Sequence, residues 1–140
     1  MSARPLVRRH PGAESLVPPV ITDLDAARIA SLGRGPLNEM VEEEAVIVPR
    51  ERIARDIVTV HSEVSFRDES TGLVHRVTLV YPGTASIAER RISVLSPVGR
   101  ALLGRRVGVR AIFTTPAGER REIRILQLHY QPEAAGDKTL

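Results

Sequence analysis

The sequence has no cysteine and no tryptophan, only two phenylalanines and two tyrosines, and a single lysine, Lys138, among its 20 basic residues. Without cysteine, disulfides and thiolate chemistry are excluded. So few aromatics equip the chain poorly for stacking on single-stranded bases. No apolar run approaches the ~20 residues that cross a bilayer. Arg4, Arg8 and Arg9 are interrupted by Pro5 and Pro11 and lead into no apolar segment, so no signal peptide is read and a cytoplasmic location is expected. No Gly-x-x-x-x-Gly-Lys loop is present to cradle a phosphate.

What is present suits one small core with an appendage. The 140 residues are 42% hydrophobic and 26% charged, with a net charge of +3. Asp and Glu are spread among the arginines rather than segregated from them, so the arginine excess reads as genomic bias rather than a phosphate-binding face. The pairs Arg90-Arg91, Arg105-Arg106 and Arg120-Arg121 flank strands or turns. One member of each should face solvent, as edge protection or as a basic rim.

Periodicity divides the chain into three parts. Residues 1–19, with Pro5, Pro11, Pro18 and Pro19, read as a disordered basic arm. Residues 20–50 read as a short antiparallel pair of helices. Thr22 caps the first, with Asp25 as a capping-box acid and Leu24, Ala27 and Ser31 as its weak apolar stripe. Gly33-Arg34-Gly35-Pro36 forms the tip. Leu37, Met40, Val41, Ala45 and Val48 carry the second helix, with Glu42, Glu43 and Glu44 on its outer side, until Pro49. At 1.5 Å per residue such helices reach about 15 Å and are marginal alone, so they must lean on the rest.

From Ile57 the period changes to two, and residues 51–140 read as five short antiparallel strands with one helper helix. The first strand alternates Val58, Val60, Val64 and Phe66 with polar residues. Asp68 to Gly72 is turn material, which would set His61 near Thr78 and His75 near Val64. Leu73 to Tyr81 returns, Arg91 to Leu95 is a third strand, and Ser96 caps a helix with Pro97 first and Gly104 past its end. Val107 to Phe113 and Ile123 to Tyr130 complete the sheet, and the tail from Gln131 reads as loose. The histidines His10, His61, His75 and His129 do not pair at metal-binding spacing, Ser96 is accounted for as a cap, and the Glu42–Glu44 run points three ways. Catalytic, metal and cofactor sites are therefore expected to be absent.

The run Ile92 to Gly104, followed by Val107-Gly108, resembles the C-terminal domain of the bacterial Gre transcript-cleavage factors. Thr22 to Ile29, Asp56 to Val60 with Phe66 to Asp68, Leu79 to Pro82 and the tail Tyr130 to Asp137 resemble the Rnk-type branch of that superfamily, the regulators of nucleoside diphosphate kinase. The resemblance implies an α+β protein with an N-terminal antiparallel coiled coil and an FKBP-like C-terminal domain. It implies binding to RNA polymerase at the rim of the secondary channel, where Ser96 and Pro97, with Leu95 and Val98, would grip a coiled coil of the β′ subunit. Many Gre factors carry an acid where this chain has Leu95. Gre factors also insert an acidic hairpin tip that holds catalytic magnesium, whereas Gly33, Arg34, Gly35 and Pro36 bring no carboxylate. A monomeric regulator that competes with longer factors without stimulating cleavage is expected. An FKBP-like peptidyl-prolyl isomerase and an arginine-dependent nucleic-acid binder are the alternatives.

Overall fold

A computed structural model describes residues 17–137. The arm expected over 1–19 lies outside them up to residue 16, as do residues 138–140. The elements run β1 (Val20–Thr22), α1 (Asp23–Ala30), α2 (Pro36–Glu43), β2 (Val46–Val48), β3 (Glu63–Asp68), β4 (Val74–Val80), β5 (Arg91–Ser93), α3 (Pro97–Leu102), β6 (Arg110–Thr114), β7 (Arg120–Tyr130) and α4 (Pro132–Ala135). The result is α+β, with a five-stranded sheet in the order β5-β4-β3-β7-β6 and a separate pair, β1-β2.

Two pairings depart from the antiparallel expectation. β4 and β5 run parallel, and so do β1 and β2. In the first case the ten residues between β4 and β5, 81–90, are enough to reverse the chain twice, through a 3₁₀ turn at Pro82–Thr84 and a tight turn closed by Ser86 and Arg91. In the second, Val46 to Val48 leave the helix that periodicity assigned to them. Ala45-Val46-Ile47-Val48 is rich in β-branched residues, and Val46 donates to the Pro19 carbonyl at 2.8 Å.

The first helix keeps its predicted cap but turns a different face inward. Thr22 Oγ1 accepts from Asp25 N–H at 3.0 Å. Asp25 does not reciprocate in a capping box. Its carboxylate points inward, and it is buried with Ile29, whereas Ala27 and Ser31 are exposed. α1 and α2 are eight residues each, so each is about 12 Å long, shorter than expected. Ile29, Leu37 and Met40 enter one continuous core with Val58, Val64, Leu79, Leu102 and Ile125. Burying each such side chain stabilises by about 2 kcal/mol, enough to hold helices too short to persist alone.

The first long strand begins later than alternation suggests. Thr59 and Ser62 close a turn, with Ser62 N–H donating to the Thr59 carbonyl at 3.0 Å, and His61 sits at φ 76°. Ile57 to Val60 are consecutively buried instead of alternating. The β3–β4 register places Glu63 opposite Thr78 and Phe66 opposite His75, two residues from the expected pairing. The Asp68–Gly72 turn closes as expected, with Gly72 N–H donating to the Asp68 carbonyl at 2.7 Å. Its Asp68 carboxyl is held down to about 2, first by the Ser70 hydroxyl, with the Ser70 N–H and Arg121 adding to it.

The tail is not loose as far as it is described. Gln131 caps α4 by accepting from Ala134 N–H at 3.2 Å, while its amide donates to the Ala54 and Ile57 carbonyls at 2.8 and 2.7 Å. Thr59 Oγ1 donates to Glu133 at 2.7 Å, and Tyr130 donates to Asp137 at 2.8 Å. Short polar segments such as this one hold their place through side-chain hydrogen bonds, which periodicity cannot register.

Candidate docking surface

The turn from Ser93 to Arg100 is built by hydrogen bonds that its own residues supply. Ser96 has the extended backbone of an N-cap, and its hydroxyl accepts from Gly99 N–H at 3.0 Å while donating to the Ser93 carbonyl at 2.7 Å. Pro97 occupies the first helical position, where no amide donor is needed. Leu95 N–H donates to Ser93 Oγ at 2.9 Å, and Arg100 donates from its guanidinium to the Leu95 carbonyl at 2.7 Å. A Cβ on Gly99 would fall 2.1 Å from the Ser93 carbonyl oxygen, so α3 approaches β5 as closely as only glycine permits.

This construction sorts the four predicted contact residues. Leu95 presents the most surface, at 44% exposure. Ser96 and Pro97 are half-buried. Val98 is half-buried and packs against the core. The Ser96 hydroxyl is engaged as a cap, so the surface offered outward is largely apolar.

The second predicted feature lies in the link between the two helices. Ser31 to Gly35 form it, with Gly33, Arg34 and Gly35 at its end, and Pro36 is the first residue of α2. Gly33 takes φ 95°, a value that suits glycine. Asn38 ties the link down by donating to the Gly33 carbonyl and, at 3.2 Å, to that of Ile29. Ser31, Leu32, Gly33 and Arg34 are exposed, and no carboxylate stands in the link.

The orientation of α1 depends on a residue that the sequence pattern did not single out for this role. The Asp25 carboxylate, 4% exposed, accepts from Tyr81 O–H at 2.7 Å and from Val60 N–H at 3.3 Å. It thereby joins the first helix to the end of β4. Burial raises the Tyr81 phenol above its ordinary value, and the Asp25 charge adds to this. His61 meets the Tyr81 ring edge-on, with centroids 5.7 Å apart. Burial lowers the His61 pKa below its ordinary value, with Asp25 opposing. The unfolded chain therefore takes up this proton at a higher pH than the folded one. Stability is complete above about 6.5 and falls as pH drops below it. Thermal unfolding measured from pH 7.5 to 5.5 should show a declining midpoint, and His61→Gln should flatten that decline.

The other chemistry-bearing residues are otherwise engaged. Among the described residues no group of three or more His, Asp or Glu could hold a metal ion. An open cleft of about 480 Å³ is lined by His61, Glu63, Thr78, Arg91 and Tyr130, among others. Glu63 is bonded to Arg76, Arg91 to Glu89 and Tyr130 to Asp137. One member of each arginine pair faces solvent, and the second is half-buried or buried. Arg91 pairs with Glu89, Arg106 with Asp56 at 2.7 Å and Arg121 with Asp68, so one member of each pair carries a carboxylate partner. Among the described residues no helix is long and apolar enough to cross a membrane.

The family model "Transcription elongation factor, GreA/GreB, C-term" matches residues 53–130, which contain all of β3 to β7 and the Ser96-Pro97 turn. The chain belongs to the GreA/GreB transcription elongation factor family. Within that family it is similar to the regulator of nucleoside diphosphate kinase of Escherichia coli strain K12. The two are 40% identical over 131 residues, 86% of this chain and 96% of the relative. It is also 38% identical to the transcription inhibitor protein Gfh1 of Thermus aquaticus over 105 residues, 74% of this chain and 61% of that protein. Among solved structures, a GreA/GreB elongation factor from Nitrosomonas europaea superposes with a TM-score of 0.64 at 35% identity, covering 81% of this chain and 98% of that one. The GreA/GreB match covers the Ser93–Arg100 turn and the sheet that positions it. The helical link lies outside the matched residues.

Proposed function

We propose that this chain is a transcription regulator that seats on RNA polymerase at the rim of the secondary channel and blocks longer factors without stimulating RNA cleavage. The family is one of transcription elongation factors, and one relative is named a transcription inhibitor. Leu95, Ser96, Pro97 and Val98 form the contact with the β′ coiled coil. Residues 20–50 act as a blunt hairpin, and residues 51–140 act as an FKBP-like docking domain.

One observation carries the reading: the link at 31–35 is short, exposed over 31–34 and free of carboxylates. Helices of about 12 Å fall short of a deeply buried catalytic centre. Arg34 at the apex would repel a magnesium ion rather than hold it. A protein docked in this way acts by mass action alone, excluding any competitor for the same seat.

The docking turn is tested by recovery on immobilised RNA polymerase. Pro97→Ala and Leu95→Ser should each weaken recovery at least fivefold at unchanged unfolding temperature. These two are preferred to Ser96→Ala, which also removes a helix cap worth about 1 kcal/mol. Equal recovery of wild type and both variants would remove this surface from the proposal.

A further inference from the structure

We infer that Ile87 is a second anchor of the same docking surface, and that the partner it meets is an apolar helical ridge rather than a strand edge. This rests on the docking reading above and specifies its partner. Ile87 is 92% exposed, the most exposed of the large hydrophobic residues described. A lone exposed isoleucine is ordinary on a protein surface. This one stands on a turn built to hold still. Ser86 and Arg91 exchange two backbone hydrogen bonds of 2.9 Å, Glu89 N–H donates to the Ser86 carbonyl at 3.2 Å, and Arg90 N–H donates to the Ile87 carbonyl at 3.0 Å. Arg90 closes the turn at φ 59°. The Arg91 guanidinium fastens it from below, donating to the Thr84 carbonyl at 2.7 Å and pairing with Glu89. An apolar tip fixed in this way loses little freedom on binding, which favours affinity.

Ile87 and Leu95 flank the two ends of β5, a strand of only three residues at the edge of the sheet. The edge between them is closed to another strand. The Arg91 N–H and C=O are engaged by Ser86, and the Ser93 carbonyl accepts from both the N–H and the hydroxyl of Ser96. An incoming strand would find no continuous ladder, so recognition must proceed through side chains. Two apolar knobs separated by a short rigid strand suit the ridge of a helix or coiled coil. Glu89 is held by Arg91, Glu63 by Arg76, and Arg90 and Arg100 stand at the margins. The contact is therefore apolar at its centre and should depend little on salt.

The test is a titration of the full chain against core RNA polymerase, comparing wild type, Ile87→Ser, Pro97→Ala and Ile47→Ser. Ile47 is an exposed apolar residue on β2 and serves as the control. Ile87→Ser should weaken binding about tenfold with no loss of thermal stability, and Ile47→Ser should bind like wild type. Raising salt from 0.1 to 0.5 M should change wild-type affinity less than threefold. If Pro97→Ala is weakened while Ile87→Ser binds normally, the second anchor is refuted and the docking turn stands. If no variant differs, or wild type does not bind, the docking reading itself fails and takes this inference with it. Equal weakening by Ile47→Ser, or a steep loss with salt, would overturn the specific apolar contact.

Discussion

Asp25→Ala is expected to lower the unfolding temperature by about 10 °C, through the loss of roughly 3 kcal/mol. The carboxylate is buried and accepts from Tyr81 O–H and Val60 N–H. Removing it strands two donors away from water, and hydrogen bonds to a charged acceptor contribute about 1.5–3 kcal/mol. Asn at the same position retains one carbonyl oxygen and should cost about half as much. Tyr81→Phe should cost about 1.5 kcal/mol in the wild-type background and clearly less in Asp25→Ala, because the two groups interact. Calorimetry on the four proteins provides that cycle. Additive losses would show that Asp25 and Tyr81 do not act as a pair.

Gly99→Ala is expected to cost a net 2 kcal/mol or so, about 7 °C in unfolding temperature, and to displace the turn from Ser93 to Arg100. Two effects oppose each other. Alanine is favoured over glycine inside a helix by about 1 kcal/mol. Against this, the added Cβ would lie 2.1 Å from the Ser93 carbonyl oxygen and 2.9 Å from its carbon, both backbone atoms of β5. Overpacking against atoms that cannot rotate away costs roughly 3 kcal/mol, so the clash wins. The helix can relieve it only by leaving β5, which breaks the bonds from the Ser96 hydroxyl and N–H to the Ser93 carbonyl. Gly83→Ala is the matching control, since its Cβ would meet nothing within 4 Å. Equal melting of the two variants would show that α3 is not held as tightly as described.

The turn from Ser93 to Arg100 was legible in the sequence because each step in it is local. Ser96 capping, Pro97 at the first turn and Gly104 beyond the end are short-range signals, and the structure realises all three, with Gly104 at φ 80°. The strands carrying Val64, Leu79, Ala111 and Ile125 were likewise visible from alternation. What escaped depends on contacts distant in the chain. Nothing near Asp25 indicates that Tyr81, 56 residues away, will draw its carboxylate inward. The parallel course of β5 depends on how the Ser86–Arg91 turn closes, and the exposure of Ile87 follows from that same turn. Ala45 to Val48 fit either period, and pairing with β1 decided the matter.

On the proposed reading, the protein occupies polymerase without delivering a magnesium-binding acid. The direct measurement is RNA length in a stalled elongation complex supplied with magnesium. This protein alone should leave the transcript at its starting length. Added in increasing amounts to a cleavage factor, it should suppress that factor's cutting in proportion to its own binding. Shortened RNA in the presence of this protein alone would show that it does bring a metal-binding acid to the catalytic centre.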